Sequence, residues 1–314
     1  MKEFRTDLAL EVRESFEKDD VEIKGVALKE EFDKKTNVKV TTVEIRTQQG
    51  AQAMRKPIGT YITIEAQDFL EKDITYHKTI SSILTQYLKR LFKKVKNGPV
   101  LVVGLGNREA TPDSLGPKVV DGLCVTRHFI KEFGDTFTIK EKDHPLCAIA
   151  PGVMAQTGME TMELLKGIVK EIQPACVIAV DALAARSTNR LITTVQLTDT
   201  GICPGAGIGN NRQALNKESL GVDVIAIGVP TVVDAMTIVR DSLEYLFGQQ
   251  EFTESQRDEF FQEITQNSGI INMFVTPKNI DESVQWISDT ISEAINSCFV
   301  GKEQKSSETM VSNA

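Results

Sequence analysis

Polar and apolar positions along this chain fall into two kinds of segment. Short, nearly unbroken apolar runs stand at 100–103, 146–150, 176–180 and 222–229. Runs of this length, rich in Val and Ile, predict strands buried on both faces. Between and around them, apolar residues recur at three- and four-residue intervals, which predicts helices. One covers 74–94, with Ile80, Ile83, Leu84, Tyr87, Leu88 and Leu91 in register. Others cover about 159–172, 253–266 and 281–299, the last with the single Trp286. A further helix is predicted to enter at 114–117 and run through Leu115, Val119, Val120, Leu123 and Phe129. Pro230 reads as the first residue of a helix continuing through Met236, Val239 and Leu243.

Two alternating segments, 38–45 and 59–65, read as strands, the first changing parity midway as a bulged or doubly half-buried strand does. Residues 192–197 also have strand character, and 48–52 read as a loop. The charge-dense 1–37 predicts an extended or partly ordered arm, and the polar 301–314 a disordered tail. Strands alternating with helices imply parallel βαβ units. The expected fold is a doubly wound, mostly parallel α/β sheet with helices on both faces, extra N-terminal strands and C-terminal helices. Its carboxyl edge collects the loops 104–114, 151–158, 181–189 and 228–231, and ligands bind at such an edge.

Composition narrows the partners. With 314 residues, 41% hydrophobic and 25% charged, the chain is an ordinary globular one. No apolar run approaches the roughly 18 residues that span a bilayer, and acids interrupt the start where a signal peptide has its apolar core. No membrane association is expected, and the location implied is cytoplasmic. Cys124, Cys147, Cys176, Cys203 and Cys298 are widely spaced without C-x-x-C, which predicts reduced thiols. His77, His128 and His144 are too scattered for a helical metal motif. A net charge of −8 opposes direct nucleic-acid binding. The basic run Lys89, Arg90, Lys93, Lys94 and Lys96 ends a predicted helix, where cations complement the dipole.

Candidate chemistry gathers in 99–117, PVLVVGLGNREATPDSLGP. Gly104 and Gly106 permit a sharp turn after the strand, but a dinucleotide fingerprint needs a third glycine where Glu109 stands. Asp113 follows in the loop, and the run at 176–180 delivers a second acid, Asp181, at its own end. Two carboxylates at the mouth of one sheet can hold a water between them, one as base and one as acid, when their repulsion splits their pKa values. Each aspartate taken singly also suits a helix cap or turn. No G-x-S-x-G surrounds Ser114 or Ser187, and no histidine lies near Cys203 in sequence, so all three read as structural. Lys118, Arg186 and Arg212 suit either a substrate carboxylate or surface ion pairs. Gly201, Gly205, Gly207 and Gly209 let backbone approach a bound peptide, or form a plain mobile loop.

Five segments, RTDLALE at 5–11, VVGLGNREATPDSLGP at 102–117, PGVMAQTGMET at 151–161, VDALAARS at 180–187 and GICPGAGIGNNR at 201–212, carry a resemblance over nearly the whole chain. The sequence resembles the germination proteases, endopeptidases that degrade small acid-soluble spore proteins. The resemblance implies an unusual aspartic-type peptidase whose fold is similar to that of the hydrogenase maturation proteases, with Asp113 and Asp181 catalytic. Gly205, Gly207, Asn210 and Arg212 are the candidate substrate-binding residues. In the hydrogenase maturation relatives the equivalent acids bind nickel with a histidine. No histidine follows His144 here, so neither metal nor cofactor is expected. The resemblance further implies a homotetrameric zymogen of the spore core, removing a propeptide at 1–7 by cutting between Asp7 and Leu8. A single peptidase domain over 8–300 would remain. A metal-dependent maturation peptidase acting on one protein partner is the alternative, and a nucleotide-binding module a third reading.

Overall fold

In a computed structural model of the chain, the structure describes residues 6–17, 23–70, 74–93, 95–133, 144–205, 213–247, 256 and 273–300. The expected helix at 253–266, apart from residue 256, and the tail at 301–314 lie outside them. The described strands are β1 (Val26–Asp33), β2 (Val38–Ile45), β3 (Gly59–Ala66), β4 (Val100–Gly104), β5 (Leu146–Ile149), β6 (Cys176–Ala185), β7 (Thr194–Thr198), β8 (Asp223–Asp234) and β9 (Phe274–Val275). They form one sheet in the order β1-β2-β3-β7-β8-β6-β4-β5, with β9 also pairing with β8. The sheet is mixed. The four strands β5, β4, β6 and β8 are parallel, as the unbroken apolar runs predict. The N-terminal strands and β7 extend this core antiparallel.

Helices cover both faces because alternate residues of the buried strands point opposite ways. Val100, Val102, Ile178, Val180, Ile225 and Ile227 face one core with α3 (Ile74–Phe92), α4 (Leu115–Asp121) and Ile287, Ile291 and Ile295 of α10 (Ile280–Phe299). Leu101, Val103, Val177, Ala179 and Val224 face the other, against Met162, Leu165 and Val169 of α7 (Thr161–Ile172). Each such Val, Leu, Ile or Met side chain contributes about 1.5–3 kcal/mol when fully buried.

Several expectations are corrected. The supposed N-terminal arm holds α1 (Ala9–Glu17) and β1. Leu8 and Ala9 are wholly buried, in different clusters, Leu8 with Leu183, Leu191 and Val233 and Ala9 with Val43, Met54 and Tyr61. The supposed loop at 48–52 is α2 (Gln48–Met54), capped by the Thr47 side chain accepting from the Gly50 N–H. The helix after Ser114 stops at Asp121, and α5 (Arg127–Phe133) is a separate element. A short α6 (Met154–Thr157) precedes α7, and a short α8 (Lys217–Leu220) precedes β8.

Pro230 does not open a helix. It lies inside β8, and α9 (Ala235–Phe247) starts only after the strand ends. The β6–β8 register skips one residue here: Leu183 faces Pro230 and Ala184 faces Val232. A bulge accommodates a residue without an N–H where a regular ladder would not. The bulged residue is Thr231. Finally, Asp181 is not the end of its strand, since β6 continues to Ala185.

Candidate active site

The cavity at the carboxyl edge follows from unequal strand lengths. On one side, β6 is flanked by β4 only as far as Val180, which pairs with Gly104. Leu105 donates one last backbone bond to the Val180 carbonyl, 2.8 Å, and the chain then turns away. From Asp181 onward, β6 has lost that neighbour while β8 still supports its other side. The crevice so opened is a cavity of about 290 Å3. Asp113 and Asp181 both line it, as do Asp7, Gly205 and the bulged Thr231.

Asp113 closes a single 3-10 turn, Thr111–Asp113. Its carboxylate is held from below, Oδ2 accepting the Asn107 N–H at 2.7 Å. Two glycines let the loop fold this tightly. Gly106 has φ +105, and a Cβ there would stand 2.1 Å from the Asp113 carbonyl oxygen and 2.9 Å from its Oδ1. A Cβ on Gly104 would stand 2.2 Å from the carbonyl oxygen of Gly116 in α4. The Asn107 side chain joins α6 to this loop, its Oδ1 accepting from Gln156 Nε2 at 3.0 Å. Asp181 is 5% exposed, and its Oδ1 accepts the Ala182 N–H at 3.0 Å.

The third acid on the wall is Asp7. It pairs with β6 as a strand residue does, its N–H donating to the Ala184 carbonyl at 3.0 Å. The Ala184 N–H in turn donates to Asp7 Oδ2 at 2.9 Å. The Asp7 carbonyl oxygen accepts from Lys56 Nζ at 2.8 Å. Directly after it, Leu8 is sealed in the core and α1 begins.

A clamp keeps α1 in place. The Glu11 carboxylate, 4% exposed, accepts the Arg186 N–H at 2.7 Å and the Ser187 N–H at 3.0 Å, as well as the Thr6 hydroxyl. Arg190 reaches Glu11 at 3.3 Å, Glu14 at 2.6 Å and Glu65 at 3.0 Å. Burial works against the Arg190 charge, but its bonds to Glu14 and the field of the three carboxylates hold it more firmly protonated than usual.

The structure therefore gathers Asp113, Asp181, Asp7 and Gly205 around one cavity. Gly207, Asn210 and Arg212 lie outside the described residues. Lys118 is turned to Gln285, 2.8 Å from its Oε1. Cys203 lines an adjoining cavity of about 210 Å3 with Asp7, Lys56 and Gln196. Burial and the nearby Asp7 raise its thiol pKa, which disfavours the thiolate a nucleophile needs. Sequence reasoning missed Lys56, Gln196 and Thr231. No local motif marks them; Lys56 meets a residue 49 positions away.

The donors on the Asp113 cavity do not fit a nickel site of the acid-plus-histidine kind. His77 stacks on Trp286, His128 lies on α5 beside Phe129, and His144 bonds the Gly98 carbonyl at 2.9 Å. Among the described residues no group of three or more His, Cys, Asp or Glu is placed to hold a metal ion. Nor is any described helix long and apolar enough to cross a membrane.

An α/β sheet with a carboxylate-lined crevice at the carboxyl edge of its parallel strands is the arrangement in which proteins of this fold class bind ligands. The family model for the germination proteases matches residues 4–268, and the chain belongs to that peptidase family. It is 43% identical to the germination protease of Caldanaerobacter subterraneus subsp. tengcongensis, across 93% of each chain. It is 42% identical to that of Clostridium perfringens SM101, across 93% of this chain and 94% of the other. For the Bacillus subtilis protein the identity is 43%, across 77% and 66%. The [NiFe] hydrogenase maturation protease HycI from Thermococcus kodakarensis aligns with a TM-score of 0.33 at 17% identity, covering 67% of this chain and 99% of that one. At that TM-score it lends no support to any residue's role. The family makes this chain a protease, a spore-germination endopeptidase.

Proposed function

We propose that the chain is made as a zymogen, cuts itself between Asp7 and Leu8, and then degrades small acid-soluble spore proteins, with Asp113 and Asp181 activating water. One observation carries this reading: Asp7, the residue before the bond to be cut, lines the same cavity as the two acids.

The chemistry needs the pair in unequal states, one carboxylate ionised and the other protonated, which mutual repulsion promotes. Water oxygen adds to the Asp7 carbonyl carbon while its proton passes to the ionised carboxylate. The protonated partner gives its proton to the Leu8 nitrogen as the C–N bond breaks. The products are an α-carboxyl group on Asp7 and a free amine on Leu8. Acid before the cut bond matches a spore-protein context such as Thr-Glu-Ile-Ala-Ser-Glu, and a neighbouring Ala184 N–H offers such an acid a donor.

The packing also suits a cut at this point. Leu8 is wholly buried and the Glu11–Arg190 clamp holds α1, so residues 8–17 stay docked when 1–7 leave. In this reading 1–7 is the propeptide and 8–300 the working domain, assembled as a homotetramer in the cytoplasm of the spore. No metal and no organic cofactor take part. The test is intact-mass spectrometry of the full chain over time. Loss of the first seven residues in the wild type, absent in both Asp113→Asn and Asp181→Asn at unchanged melting temperature, is the expected result. Wild-type cleavage rates in either variant would remove that acid from the mechanism.

A further inference from the structure

We propose that Lys56 is a further catalytic residue of self-cleavage, its amine donating to the Asp7 carbonyl oxygen and meeting the negative charge that develops there as water adds. The inference rests on the reading of Asp7–Leu8 as the bond that is cut.

The choice of acceptor is what points to chemistry. A lysine beside an aspartate ordinarily bonds the carboxylate. Here Asp7 Oδ2 accepts the Ala184 N–H, 2.9 Å, and Lys56 Nζ donates to the main-chain oxygen, 2.8 Å. That oxygen belongs to the peptide link joining residues 7 and 8. A second donor reaches the same atom: Gln196 Nε2 lies 3.4 Å from it. The Gln196 Oε1 meanwhile accepts the Ala9 N–H at 2.8 Å, so one side chain holds both flanks of the bond.

The surroundings agree. Asp7 lines both cavities, the one with Asp113 and Asp181 and the one with Lys56 and Gln196. Asp7 thus adjoins the acids in one cavity and the amine in the other. Addition to a carbonyl needs that division, with the water and its base on one face and donors aimed at the oxygen. Burial pushes the Lys56 pKa down, opposed by the nearby Asp7 and Glu11 carboxylates. A half-buried donor stabilises a developing oxyanion more than a fully exposed one does. Lys56 surrenders no proton in the step; it donates one hydrogen bond throughout, and the proton balance stays with the two aspartates.

The experiment follows full-length wild type, Lys56→Met and Lys56→Arg by intact mass, with melting temperature and amide exchange at Leu8 and Ala9 measured beside it. Lys56→Met keeps the apolar stem and should slow loss of residues 1–7 by about 100-fold or more. Lys56→Arg still donates and should stay within about tenfold of wild type. Amide protection at Leu8 and Ala9 should be unchanged in both. A Lys56→Met rate within about threefold of wild type overturns the proposal, as does an equally slow Lys56→Arg in a folded protein. Parallel loss of protection at Leu8 and Ala9 also overturns it, since Lys56 would then only anchor the segment. Should Lys56→Met not fold, Lys56→Gln, a neutral donor, should give an intermediate rate; a wild-type rate there counts against the charge. A wild type that never loses residues 1–7 sinks the underlying reading instead, and is told apart because no variant is then needed.

Discussion

Replacing Gly106 by alanine tests how Asp113 is positioned without substituting any acid. The new Cβ would lie 2.1 Å from the Asp113 carbonyl oxygen, backbone that cannot rotate aside, and 2.9 Å from Oδ1. Two costs add. A side chain at φ +105 is strained by about 1–3 kcal/mol. Relieving the overlap displaces packed backbone at about 1–3 kcal/mol more. The variant should lose about 2–6 kcal/mol of unfolding free energy in a urea titration, and its self-cleavage should fall steeply because the 3-10 turn carrying Asp113 must move. Gly158 supplies the matched control. It has φ +71 with nothing within 4 Å of a built Cβ. Gly158→Ala should therefore show only the conformational cost, about 1–2 kcal/mol, with cleavage intact. If Gly106→Ala proves no less stable than Gly158→Ala and still processes itself, the close approach around Asp113 is not what holds the site together.

Two further outcomes are expected. Arg190→Met leaves the buried Glu11 carboxylate without its cation and should cost about 3–5 kcal/mol in a urea titration, against a near-neutral Arg108→Met at the exposed Asp121 pair. Burial raises the thiols of Cys176 and Cys298 to about 12, so near pH 8 both stay protonated; iodoacetamide should label the exposed Cys124 first, and peptide mapping that finds Cys176 or Cys298 modified first would refute the packing around them.

Much of this architecture is legible along the chain. The parallel core is readable because strands buried on both faces tolerate no polar alternation, and 100–103 and 176–180 contain none. Asp113 and Asp181 are readable as acids at or beyond the ends of such runs, and the Asp7–Leu8 pair through its family motif. The reading fails where partners are remote. Residues 1–37 look like an arm because their charges are counted locally, whereas Leu8 is buried in a cluster with the remote Leu183, Leu191 and Val233. Pro230 looks like a helix start because the bulge that admits it is a property of two paired strands, not of either one.

By itself the sequence determined the family and the buried strands and set two aspartates at or just past strand runs, since local pattern and motif are written in consecutive residues. Tertiary structure alone decided that β4 stops one residue short of Asp181, that three aspartates share a wall, and that Lys56 meets the carbonyl of residue 7. Those are consequences of strand length, register and chain return, which depend on contacts between residues far apart in the chain and so leave no mark at any single position.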